Sequence, residues 1–265
     1  MGYFDDDAML RRVNRERTVA LAGPRTLLMQ AAHPVAFAGF FAHTGALDAP
    51  YERLARTARV MHTIGFGSRA DADRATDRVR AMHRRVRGVL AEPAGRFPAG
   101  TPYAADDPAL LLWILACIVD SALVVFQKYV RSLTRDEQDA YWRDYRQVGR
   151  LFGLRDEDMP ETIEDFDRYM AEMVAGEDLH ITPAARELAT QIVLRPPVPL
   201  RFRPMLELAN QITVGLLPPD IRRQYGLSWD PARALALHGG AQYVKRIVVP
   251  LLPRRVRLAP SARTA

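Results

Sequence analysis

The chain has 265 residues, 48% of them hydrophobic and 26% charged, and 37 basic against 31 acidic side chains give a formal net charge of +6. These fractions exclude a disordered, collagenous or low-complexity chain, and the length supplies apolar material for one large domain or two small ones. A single cysteine, Cys117, excludes a disulfide scaffold, a cysteine-ligated zinc site, an iron–sulfur cluster and the Cys-x-x-Cys-His attachment of c-type haem.

The acidic amino-terminal stretch has no apolar run and does not read as a secretory leader, so a cytoplasmic location is expected. Beyond it, apolar residues recur at helical spacing almost throughout, and strand-like alternation is nearly absent. A first helix is expected over residues 8–22, halted by Gly23 and Pro24, and a second over 25–42, kinked or divided by Pro34. Pro50 opens a helix to about Ile64, which ends at Gly65-Phe66-Gly67, and Ser68 caps a long one running to Leu90. Residues 92–108, rich in proline, read as an irregular loop.

Asp106-Asp107-Pro108 then opens the most hydrophobic helix, to about Arg131. Its stretch 109–126 has only the minimum length for a membrane span and contains Asp120 and Ser121, so it reads as a buried core helix. Thr134 and Glu137 form a capping-box pattern, and Pro160, Thr182-Pro183 and Asp230-Pro231 mark further helix starts. A helix ending near Gly215 follows the proline cluster Pro196 to Pro204. The sum is one all-α domain of about ten helices over residues 1–252, with a flexible basic tail over 253–265 that carries Arg254, Arg255, Arg257 and Arg263. The positive charge is mostly arginine interleaved with acids, with no basic run alternating with stacking aromatics, so no nucleic-acid partner is expected.

Glycine-rich phosphate loops and a Gly-x-Ser-x-Gly elbow are absent from the sequence. A di-iron bundle needs two Glu-x-x-His pairs, but only Glu177 and His180 supply one. Among the six histidines, His43, His62 and His238 read as helix-end residues, and His33 sits in the apolar run Ala31 to Val35. His83 falls with Val79, Met82 and Val86 on one helical stripe, opposite Arg74, Arg78, Arg85 and Arg87. An imidazole so placed either ligates iron or hydrogen-bonds across a core. On the preceding helix Arg53, Arg56 and Thr57 share a face. Exposed, that face would be satisfied by Glu52 and solvent; turned inward, it needs an anion such as a haem propionate, a carboxylate or a phosphate.

Together these stretches resemble the haem-b oxygenases that include latex-clearing protein and the MpaB-type enzymes. The similarity lies in residues 28–39, with His33 at their centre, in Arg53-Leu54-Ala55-Arg56-Thr57, in Phe66-Gly67, in residues 78–88, in Leu112-Trp113, in Asp120-Ser121 and in residues 217–222, in the family's order over about residues 10–245. The resemblance implies an all-helical fold around haem b, with His83 as proximal iron ligand and Arg53, Arg56 and Thr57 on the distal and propionate side. His33 is expected among the cofactor-binding residues, and Arg56 and Thr57 among the catalytic ones. Arg56 stands where latex-clearing protein has a lysine, and a guanidinium keeps its charge and offers iron no lone pair. The family's acidic residue near the haem has no clear counterpart; Phe37 or His33 falls in that region.

The expected function is therefore a haem-dependent oxygenase or oxidase using O2 on a small apolar or isoprenoid-like metabolite rather than an extracellular polymer. The alternative is a non-catalytic helical protein that binds a small anion or lipid. Membrane association through residues 245–257 and a homodimer built on the apolar segments near Leu200 and Leu251 are further possible interactions.

Overall fold

Ser68, Asp107, Thr134, Thr162, Thr182 and Asp230 each start a helix with a side chain that accepts a hydrogen bond from a free first-turn N–H. In the computed structural model, which describes residues 1–42 and 50–259, the helices are α1 (Met9–Asn14), α2 (Ala22–Ala31), α3 (Pro34–Ala42), α4 (Pro50–Phe66), α5 (Arg69–His83), α6 (Pro108–Tyr129), α7 (Arg135–Phe152) and α8 (Ile163–Ala175). They continue as α9 (Pro183–Leu194), α10 (Arg203–Leu216), α11 (Pro219–Gln224), α12 (Pro231–Tyr243), α13 (Val249–Leu251) and α14 (Arg254–Arg257). Strands β1 (Arg87–Val89) and β2 (Pro102–Ala104) form a short antiparallel ribbon that pairs Gly88 with Tyr103. The fold is all-α, as expected.

α6 is the axis of the core. By length and composition it could cross a membrane, but most of it is buried inside the protein, against α2, α7 and the 3-10 turn Arg17–Leu21. Trp113, Trp142, Tyr141, Tyr145 and Phe166 are fully buried around it. Each large side chain removed from water contributes about 1.5–3 kcal/mol. Arg25 carries its charge into this core: from α2 it donates to Asp120 Oδ2 at 2.6 Å and Ser121 Oγ at 2.6 Å on α6, and to the Leu216 carbonyl at 2.8 Å on α10. The acid and hydroxyl that interrupt the apolar run of α6 are thus the partners of a buried guanidinium.

Several boundaries differ from the expectation. Gly23 and Pro24 lie inside the first turn of α2, where a missing N–H leaves no helical bond unmade. Pro34 divides its helix as expected, with the break at Ala32 and His33. α5 stops at His83 instead of Leu90, because Val86 and Leu90 leave the helix to pack with Val35 and Tyr103 under α3. Residues 253–259 are docked, not a flexible tail: α14 is followed by a bridge between Glu16 and Leu258, and Arg257 pairs with Glu16 at 2.7 Å.

Candidate functional site

α4 and α5 form a helical hairpin joined by Gly67 and Ser68. A Cβ on Gly67 would sit 2.6 Å from the Thr63 carbonyl oxygen, so only glycine allows the chain to leave α4 so tightly. Ser68 then accepts from the Asp71 N–H at 3.2 Å and donates to the Asp71 carboxylate at 2.6 Å. These bonds and the Arg74 guanidinium hold the Asp71 carboxyl below its usual range.

Between the two helices lies an open groove of about 520 Å³, within the range of ordinary ligand clefts. Arg56, Arg59, Arg74 and Arg78 line it, with Val60 and Ala75 at its floor and Asp71 as its one acid. Among the described residues Arg56, Arg59 and Arg78 have no carboxylate within salt-bridge reach, whereas Arg74 pairs with Asp71. The outer end of the hairpin, away from Gly67 and Ser68, holds the start of α4 and the end of α5, where His83 is the last helical residue.

On α5 the inward stripe is Ala72, Thr76, Val79 and His83, at i, i+4, i+7 and i+11. Ala72 and Thr76 are fully buried, and His83 is half-buried where the stripe runs out. Met82, expected on this stripe, is 47% exposed; it points along the outer face with Arg78 and Arg85, beside a second groove. Beyond His83 the chain turns into β1, with Val86 N–H bonded to the His83 carbonyl at 3.0 Å. There α3 crosses close by: a Cβ on Gly39 would lie 3.4 Å from Tyr103 and 3.6 Å from Val86.

Thr57 and Arg56 are both exposed on α4, and of the two Arg56 lines the groove. The side chain of Arg53, and His43, lie outside the described residues. Phe37 is half-buried and packs against the main core. His33 has a different setting from the hairpin. It is 7% exposed in the break between α2 and α3, its ring centroid 5.5 Å from that of Phe97, and its Nδ1 accepts from the Ala36 N–H at 3.4 Å. It therefore caps α3, and burial pushes its imidazole down to about 4. Sequence reasoning missed this cap; the signal was Pro34 directly after His33, since proline favours the first helical position and leaves the residue before it as N-cap. Glu177 and His180 are both exposed. Among the described residues no three histidine, cysteine, aspartate or glutamate side chains converge as a metal site.

The family model for the catalytic domain of the ER-bound oxygenase mpaB/B′ and rubber oxygenase matches residues 10–246. The chain belongs to that family. Its catalytic domain is accordingly that of an oxygenase, an oxidoreductase. Two uncharacterized mycobacterial proteins, Mb2261 of Mycobacterium bovis and Rv2237 of Mycobacterium tuberculosis, are each 24% identical to it over 185 residues, covering 69% of this chain and 69% of the relative. No solved structure matches it.

Proposed function

We propose that this family member is a haem-b-dependent oxygenase that uses O2 on a small apolar or isoprenoid-like molecule, with its site at the open end of the α4–α5 hairpin. The observation that carries the reading is the α4–α5 hairpin itself, in which the helix bearing Arg56 and Thr57 packs along the helix that ends at His83. The donor set fits an iron porphyrin. Such a group brings four nitrogens of its own and asks the chain for one axial imidazole, cations for its two carboxylates and apolar neighbours for its rim. His83 would supply the first. Arg56, which has no acidic partner among the described residues, and the Arg53 position supply the second. Val86, Tyr103 and the Gly39 segment of α3, which pack on one another beyond the end of α5, would be the apolar neighbours.

Bound there, haem would supply the oxygen chemistry, and the chain supplies orientation and charge. His83 would hold the group at the end of the α5 stripe. Arg56 would direct its N–H donors to where negative charge develops, with the hydroxyl of Thr57, the next residue on α4, as a further donor or acceptor. A guanidinium at position 56 offers no lone pair to a metal, so Arg56 would act through its charge and its N–H donors alone.

The test is spectroscopic. The purified chain mixed with haem b should show a sharp Soret band, and His83→Ala should abolish or shift it while circular dichroism stays unchanged. A Soret band identical in the variant removes His83 as ligand, and no band in the parent chain removes the haem reading. The arginine-lined groove also favours a second reading, a non-catalytic carrier of a small anion; that reading predicts anion binding without the Soret band.

A further inference from the structure

α12, the π-helical turn Val244–Val248 and α13 form one unbroken helical run over residues 231–251, about 30 Å long. Its inner side is packed. Ala241 is 1% and Val249 3% exposed, and Leu237 and Val244 lie against Val125 and Tyr129 of α6. Lys245 pins the run by donating to the Gln127 carbonyl and Ser132 Oγ, each at 2.9 Å. Its outer side is apolar as well. Leu235, Tyr243, Ile247 and Leu251 recur at multiples of four residues and are 73%, 58%, 45% and 77% exposed. α10, packed beside it, leaves Met205 and Leu208 exposed too. A helix apolar on both sides is built to be buried on both, and among the described residues only one side has a partner.

Charge decides which partner. Residues 231–257 contain no aspartate or glutamate, but do contain five arginines and a lysine. Arg246, Arg254 and Arg255 are exposed along and just beyond the apolar stripe. Over residues 195–257 there are ten arginines and one lysine against three acids, more positive charge than the whole chain carries net. A second copy laid on the stripe would bring these guanidiniums together with no acid to meet them. An anionic bilayer takes apolar side chains below its headgroups and meets the cations with its phosphates and carboxylates, with the tyrosine at the interface.

We propose that this face docks the protein in the plane of an anionic membrane surface, with Leu235, Tyr243, Ile247 and Leu251 inserted and Arg246, Arg254 and Arg255 at the headgroups. The inference is independent of the haem reading, since none of these residues belongs to the α4–α5 hairpin. Flotation of the full chain with phosphatidylcholine vesicles containing phosphatidylserine tests it, against vesicles of phosphatidylcholine alone and against the double variant Ile247→Asn/Leu251→Asn. Both replaced side chains are solvent-exposed, so a circular-dichroism melt matching the parent confirms that the variant folds. The expected result is flotation with the anionic vesicles only, weakened on the order of tenfold or more in the variant and by high salt. No flotation, equal flotation on neutral vesicles, or an unweakened variant each overturns the proposal. So does a concentration-dependent dimer in light scattering that the variant abolishes, which would assign the stripe to a second copy.

Discussion

His33 shows how a single buried imidazole ties stability to pH. Its Nδ1 accepts from the α3 amide, so the neutral ring is the form the fold holds, and burial lowers its pKa from 6.5 to about 4. Unfolded, the ring takes up a proton near 6.5; folded, only near 4. Between those values the unfolded state binds more protons, so this contribution is complete above pH 6.5 and is lost as pH falls towards 4, by about 3 kcal/mol in full. Asparagine caps a helix without titrating. His33→Asn is therefore expected to stay within about 1 kcal/mol of the parent at pH 7 and to lose less stability between pH 6.5 and 4. Urea unfolding of both proteins across that range checks it, and parallel pH slopes would dismiss the assignment. His33 stands out in the sequence because a polar ring sits among alanines. What that ring bonds to is a matter of backbone geometry at the α2–α3 break, which residue types alone do not display.

The α4–α5 hairpin depends at the element scale on one glycine. Alanine at position 67 would press its methyl to within 2.6 Å of the Thr63 carbonyl and 3.3 Å of its Cγ2, and neither can retreat without unwinding the last turn of α4. Gly67→Ala is expected to cost about 1–3 kcal/mol, read as a lower urea midpoint, and to weaken whatever the hairpin binds, since the Arg56 and His83 positions are registered through that turn. An unchanged midpoint would mean the turn is softer than its contacts imply. This hairpin was legible in the sequence: Pro50 starts one helix, Gly67-Ser68 joins the two, and Ser68 lies three residues before Asp71, whose N–H it accepts. The β ribbon was not. Val86 and Leu90 sit four apart and extend the helical pattern of α5, and each strand has only three residues. Helix gives way there because those two side chains fill the space under α3 with Tyr103, a partner distant in sequence, and because Gly88 lets the Tyr103 ring lie against its backbone.

Across the whole molecule the two ends of the described chain close on each other. Glu16, 3% exposed, takes its charge partner from Arg257, and the strand-like bridge beside them adds a bond from Ala259 N–H to the Arg15 carbonyl and one from Arg17 Nε to the Leu258 carbonyl. The basic composition of residues 253–265 suggests a solvated end; the missing information was that a carboxylate more than two hundred residues earlier is buried and needs a cation. Arg257→Ala leaves that carboxylate inside the fold with its cation gone. The expected cost is about 3 kcal/mol, at the low end for breaking a buried pair because Arg257 keeps part of its surface in water. Arg254→Ala, one helical turn away and exposed, should stay within about 0.5 kcal/mol. Glu16→Gln combined with Arg257→Ala should recover much of the loss, since a neutral amide tolerates the site without a cation. Urea titrations of the four proteins measure all three differences, and an Arg257→Ala chain no weaker than Arg254→Ala would show that the bridge, not the ion pair, holds the ends together.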